Sequence, residues 1–320
     1  MKSEQTLIIE VLKLSKEKAT ALFAQNINFD YVEQSLKRHF LFPAFYYTAK
    51  QLALLERVPF RGSLEDAFYH NFSRNAKLEK VYCDIFCRAR AQAIEVLPLK
   101  GINLTTFIYP HPGMRVMADI DVYCCKKEYP RLKELLFAND FFCNEKSDAV
   151  DAISHVFYKK ETLSEPNIAI EVHTKIVPPR PCEVVFDLFE RHQERKGIWY
   201  LSNEDLFITL LLKIRRDARN LNLVYFYDLF LVLKKGPINW SYIESVCVRN
   251  KIARVLYFAL YYIEVIFGER FCEVPRAYFL HFFSAKDIFQ WNARKGFLLR
   301  LCFFNSFKEF CEYLVKKFFK

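Results

Sequence analysis

The chain has 320 residues, 52% of them hydrophobic, with 33 Phe and 18 Tyr against only 7 Gly; general disorder is excluded, and a mostly helical protein with a sizeable core is expected. Lys and Arg total 47 against 37 acids, a formal charge of +10, which favours an anionic partner such as a nucleotide, a nucleic acid or an acidic membrane surface. No apolar run reaches the roughly 18–20 residues a bilayer requires, because Leu206–Leu212 and Val255–Ile263 are stopped by Lys213 and Glu264.

The first residues carry Glu4 and Glu10 inside an apolar pattern and read as an amphipathic helix, not a signal peptide. The ten cysteines show neither CxxC nor finger spacing. They read as free thiols of a reducing compartment, which places the protein in the cytoplasm.

Residues 1–80 form a first helical region, in which Phe29, Val32, Leu36 and Phe40 recur at steps of three and four as one apolar stripe. Val58–Ser63, with Pro59 and Gly62, breaks the run, and Leu64 to about Ala93 is again helical.

The pattern then changes, and residues 81–200 read as a small α/β core. Ile94–Leu99 is a short strand, Lys100-Gly101 a turn, and Ile102–Ile108 one or two helical turns. The prolines and glycine of Tyr109–Gly113 dictate a loop. Met117–Tyr123 alternates as a strand, Lys126–Asn139 is a helix with Leu132, Leu135 and Leu136 on one side, and His155–Lys159 and Ile168–Ile176 are further strands.

Residues 201–320 are helical with a break at Gly236-Pro237, and Ser202 or Asn203 followed by Glu204 and Asp205 caps the first helix. The segment Ile27–Glu33 resembles Ile238–Glu244 at a constant offset that continues through Arg38/Arg249 and Tyr46/Tyr257. Shared helix-start chemistry and related helical elements on both sides of the core are the two explanations. In the tail, Phe303, Phe304, Phe307, Phe310, Tyr313 and Leu314 predict a buried face, with Lys316, Lys317 and Lys320 solvated.

The chemistry centres on Asp119-Ile120-Asp121. Strand alternation puts both carboxylates on one face, and two carboxylates so held suit a pair of divalent cations. Chance alone gives roughly four acid-x-acid pairs in such a composition, so the setting matters more than the match. Acids seldom occupy an apolar strand unless paired or metal-bound. Glu171 and His173 share one face of the strand Ile168–His173, where Glu171 completes a carboxylate set and can accept the proton of an attacking hydroxyl. His155 falls near them by adjacency. Lys100-Gly101 can present backbone N–H groups and an ammonium to phosphates, and Arg115 can steady the same group.

Taken in order, Leu99-Lys100-Gly101, Tyr109-Pro110, Gly113-Met114-Arg115, Asp119-Ile120-Asp121-Val122 and Ile170-Glu171-Val172-His173 resemble a bacterial family of uncharacterised nucleotidyltransferases of the DNA polymerase β-like superfamily. Leu206–Leu212, Tyr227-Asp228-Leu229 and Ile238-Asn239-Trp240 extend the likeness over most of the chain. The resemblance implies an α+β fold, a polymerase β-like α/β core with a mixed sheet flanked by N- and C-terminal helical regions. It implies Asp119, Asp121 and Glu171 as catalytic metal ligands for two Mg²⁺ ions (Mn²⁺ being the substitute), with Lys100, Gly101, Arg115 and His173 toward the nucleotide. ATP or another NTP would donate a nucleoside monophosphate to a small-molecule, nucleic-acid or protein acceptor, releasing pyrophosphate. The competing readings are a catalytically quiet nucleotide-binding module and a membrane-surface protein that uses the basic, Phe-rich stretch Trp291–Lys320.

Overall fold

The computed structural model describes residues 1–143, 154–159, 168–176, 187–195, 197–273 and 285–303. Four helices come first: α1 (Ser3–Leu12), α2 (Lys16–Phe23), α3 (Phe29–Arg38) and α4 (Phe42–Gln51). The long helix α5 (Arg61–Ala91) follows. The sheet region holds β1 (Val96–Pro98), the short α6 (Gly101–Asn103) running into a π-helical turn over Leu104–Ile108, then β2 (Ile120–Cys124), α7 (Tyr129–Phe137), β3 (Phe142–Cys143), β4 (Ser154–Lys159) and β5 (Ile168–His173). A hairpin of β6 (Gln193–Arg195) and β7 (Ile198–Tyr200) leads to α8 (Asn203–Arg216), α9 (Leu223–Lys235), α10 (Trp240–Arg249), α11 (Ala253–Phe267) and α12 (Ala293–Cys302).

The fold is α+β, a mixed five-stranded sheet flanked by helices from both ends. Its strand order is β1-β2-β5-β4-β3, with β2 and β5 parallel and the other pairs antiparallel. Apolar residues alternate inward along the two central strands: Ile120, Val122 and Cys124 on β2, and Ile168, Ile170 and Val172 on β5, are all buried. Side chains between them must face the other way, which carries Asp121 and Glu171 to one surface.

The N- and C-terminal helices do not form two cores. Leu7, Ile8 and Phe45 from the first share one apolar cluster with Phe207, Phe226, Phe258 and Phe267 from the second. Helix α5 ties this cluster to the sheet. Leu64 and Phe68 of its first half enter the helical core, and Leu78, Tyr82, Ile85 and Phe86 of its second half enter the sheet core. Each such residue stabilises the assembly by about 1.5–3 kcal/mol. The helix runs unbroken through residues 80 and 81, so the helical and sheet regions share a rigid element.

The internal similarity extends to tertiary contacts. Asn28 caps α3 by accepting from Tyr31 N–H, and Asn239 caps α10 by accepting from Tyr242 N–H. The backbone N–H of each Asn donates to a glutamate in the first turn of another helix, Glu4 of α1 or Glu204 of α8. The two tyrosine hydroxyls meet the next residues along, Gln5 and Asp205. Each helix ends at a left-handed residue, Phe40 at φ 58° and Lys251 at φ 55°. Helix-start chemistry alone does not require the Glu and Tyr contacts. They make α1–α4 and α8–α11 two helical units built on one plan.

Several expectations change. Phe40 leaves the apolar stripe, because α3 stops at Arg38 and the left-handed turn throws the ring into solvent while Leu41 is buried. Gly62 and Ser63 belong to α5, whose first turn tolerates them, so the break after Val58 is shorter than expected. The hairpin β6–β7 has no alternating pattern to announce it. Gly197 at φ 76° was its sequence signal. The tail stripe lies, apart from the buried Phe303, outside the described residues. Among the described residues eight cysteines are free thiols, and no helix is long and apolar enough to cross a membrane.

Candidate active site

Asp121 and Glu171 stand directly opposite each other in the parallel β2–β5 register, and His173 lies two residues beyond Glu171 on the same face. Their facing atoms converge: one ligand atom each of Asp121, Glu171 and His173 lie within 4.8 Å of one another. His173 Nε2 is 2.9 Å from Asp121 Oδ1 and 3.6 Å from Glu171 Oε1. An ionised carboxylate only accepts, so with Asp121 charged Nε2 is the donor. Ser154 Oγ donates to Glu171 Oε1 at 2.6 Å and fixes that carboxylate from the neighbouring strand β4.

Lys100 completes the cluster, its Nζ lying 2.8 Å from Asp121 Oδ1. Burial opposes the Asp121 charge, yet the Lys100 ammonium and the His173 hydrogen bond outweigh it and hold the carboxyl well below the usual range. Lys100 takes φ 44° and ψ −106°, a strained conformation for a non-glycine residue that costs of order 1–3 kcal/mol and gathers at functional sites. Leu99 N–H donates to Asp121 O at 2.8 Å, pinning the backbone just before the turn.

Asp119 sits one residue before β2, outside the ladder. The loop ahead of it is bound to α5 instead of to a strand. Asn71 Nδ2 donates to Gly113 O and Arg115 O, Asn75 Nδ2 to Pro112 O and Arg115 O, and Arg74 to Met117 O and Ala118 O. Strand pairing therefore begins at Ile120. Burial, then the charges of Asp121 and Glu171, push the Asp119 carboxyl up, against Lys100 and Lys213. Its charge is thus in the same field, although it is not one of the three converging groups.

Gly101 is buried, and a Cβ there would meet Met117 Sδ at 2.8 Å. Its smallness is a packing requirement at the start of α6, and the positive φ falls on Lys100. Gly113 is constrained in the same way by the Phe68 ring at 3.0 Å. The Arg115 guanidinium is bound to Asp228 of α9 instead of to a carboxylate of the cluster, with Nε 2.9 Å from Oδ1 and Nη2 2.9 Å from Oδ2. Tyr109 OH donates to the same Asp228 Oδ1 at 2.7 Å. The Tyr-Pro and Gly-Met-Arg motifs thus meet the Tyr-Asp-Leu motif in a buried joint between the loop and the C-terminal helices. His155 faces the other side of β4, buried against Tyr129 with ring centroids 4.2 Å apart. Strand alternation separates it from Ser154 and from the site.

Residue-by-residue reading missed a cationic group on α8. Lys213 and Arg216, one turn apart, both hold Asp217, at 3.3 and 3.0 Å. Burial, opposed by Asp217 and assisted by the positive charges of Lys100, Arg216 and Arg115, lowers the Lys213 ammonium from its ordinary value. Arg216 feels the negative charges of Asp121 and Glu171. Four cations from three segments therefore share the field of three carboxylates. The only sequence signal was Lys213 interrupting an apolar helix.

Residues 25–268 match the model of a family described as uncharacterised nucleotidyltransferase. No curated protein and no solved structure matches the chain.

Proposed function

The chain belongs to the uncharacterised nucleotidyltransferase family, and on that premise we propose that it moves a nucleoside monophosphate from an NTP to a hydroxyl or phosphate acceptor, releasing pyrophosphate. The observation that carries this reading is the convergence of Asp121, Glu171 and His173 from adjoining strands, with Asp119 and four cations around them. Carboxylates on the central parallel pair of a mixed sheet also support kinship with the polymerase β-like superfamily.

Two carboxylates and an imidazole within 4.8 Å suit a divalent cation. Asp121, Glu171 and His173 would hold it, with Asp119 beside them, and Mg²⁺ or Mn²⁺ would supply neutralisation of charge on the transferring phosphoryl group. The protein's own groups do the rest. Lys213 and Arg216, carried on a helix the core keeps rigid, bind the phosphates and orient them toward the carboxylates. Lys100, held by its strained turn, lies between the phosphates and Asp121. Glu171 Oε1 is engaged by Ser154, whereas Asp119 makes no hydrogen bond among the described residues and has a raised proton affinity. Asp119 therefore takes the proton of the attacking hydroxyl, because a base works best with its pKa drawn toward the operating pH.

One observation favours the quiet nucleotide-binding reading: Asp121 Oδ1 already carries both Lys100 and His173. Incubation with NTPs labelled at the α-phosphate and a lysate of the source organism, with Mg²⁺ or Mn²⁺, separates the two. Wild type should transfer label to a discrete product and Asp121→Asn should not. Nucleotide binding without label transfer, from any of the four NTPs, would establish the quiet reading.

A further inference from the structure

A second polar cleft, of about 210 Å³, opens where the β6–β7 hairpin meets the start of α8 and the end of α9. None of its lining residues belongs to the carboxylate cluster. It carries two cations, Arg195 and Lys235, the amides of Gln193 and Asn203, and no carboxylate. Arg195 is held by aromatic rings: its guanidinium lies 5.2 Å from the Tyr200 ring centre and 5.6 Å from that of Phe107. Those two rings stack on each other at 4.0 Å. Cation–π contact fixes the guanidinium plane while leaving its N–H edge unspent. The side chains of Arg195 and Lys235 make no ion pair or hydrogen bond with another described residue.

Local structure explains the grouping. Gln193 and Arg195 are i and i+2 on β6 and so share a face, and Tyr200 pairs with Gln193 across the hairpin. Phe107 is presented by the π-helical turn Leu104–Ile108, a rare geometry found frequently at functional sites. Lys235 ends α9 just before the extended Gly236. Four segments thus converge on one space with two uncompensated positive charges. A carboxylate would be satisfied by the arginine fork alone. A phosphate spreads charge over several oxygens and can accept from separate walls at once. The volume falls below the roughly 300–1,000 Å³ of drug-sized pockets, so the ligand is small.

We infer that this cleft is a binding site for a small phosphomonoester, separate from the carboxylate site. Arg195, Lys235, Gln193 and Asn203 hold the phosphate, and the Phe107–Tyr200 face covers its short carbon body. The site is independent of nucleotide transfer and would persist in a catalytically quiet protein.

The test is calorimetric titration of the full chain in EDTA with glycerol phosphate, with glycerol as the uncharged control. Wild type should bind glycerol phosphate saturably and glycerol not at all. The double variant Arg195→Gln/Lys235→Gln should bind at least about tenfold more weakly, each lost charge-assisted contact being worth about that factor. Lys213→Gln/Arg216→Gln should bind within about twofold of wild type, and the charge-keeping pair Arg195→Lys/Lys235→Arg should fall between wild type and the glutamine pair, because lysine keeps the charge but not the stacked fork. Arg195 and Lys235 are both exposed, so melting temperatures should match wild type. Absence of saturable binding, binding that survives in Arg195→Gln/Lys235→Gln, or binding lost only in Lys213→Gln/Arg216→Gln would each overturn the inference.

Discussion

Two charged centres flank the loop that carries residues 112–118, and they are built on opposite principles. At the joint, Arg115, Asp228 and Tyr109 satisfy one another, and the Asp228 side chain is 0% exposed. At the sheet face, Asp119, Asp121 and Glu171 crowd together, Lys100 sits in a strained turn, and Lys213 is desolvated beside other cations. Matched buried charges hold geometry, and removing one partner leaves an uncompensated charge in the interior. Crowded like charges instead cost stability and are retained where chemistry needs them. The first centre fixes the loop. The second, on the function proposed above, acts on a ligand.

The sharpest way to break this comparison is Asp228→Ala, which leaves Arg115 buried without its partner. It should cost about 3–5 kcal/mol in urea denaturation, and a loss below about 1 kcal/mol would remove the joint from the buried-pair class. Asp121→Asn tests the other centre. Label transfer should fall by at least about 10²–10³-fold, as when one transition-state stabiliser is deleted, while stability falls less than in Asp228→Ala. If transfer continued at the wild-type rate, the carboxylate cluster would not be the reacting centre.

Asp119 sharpens the contrast through pH. Its folded proton affinity is raised by burial and by Asp121 and Glu171, so the folded state binds the proton more tightly than the unfolded state. The resulting stability is present below the unfolded carboxylate value and is lost as pH rises through the raised folded value. At neutral pH the ionised group is therefore a burden, and Asp119→Asn should melt above wild type in EDTA. The gap should grow between pH 4 and pH 7. A variant that melts below wild type at pH 7 would show that Asp119 has a stabilising partner. The smallest effects set the scale of an uncharged contact: Asn28→Ala and Asn239→Ala should each cost about 1 kcal/mol, the usual worth of a helix cap. Equal losses in denaturant would support the common plan of the two helical units, and a loss confined to one would count against it.

Much of the architecture was legible in the chain because it depends on local period and local breakers. Alternation exposed β2, β4 and β5, three-and-four spacing exposed the helices, and Ser202 and Asn28 announced helix starts. The apolar spacing of the C-terminal half could not reveal that it shares a core with the N-terminal half, since that depends on which faces meet.

Within the candidate site, alternation placed Asp121, Glu171 and His173 on outward faces of their strands, whereas Asp119, read as part of the same strand as Asp121, lies one residue before it. Only the tertiary structure decided that β2 and β5 are neighbours in the register Asp121↔Glu171, that Arg115 turns to a residue 113 positions away, and that Lys213 and Arg216 enter the field of the carboxylates from another element. The reason is physical. Side-chain direction along a strand or helix follows from backbone geometry within a few residues, whereas the partner of a charge is set by how separate elements pack, and no local period records it.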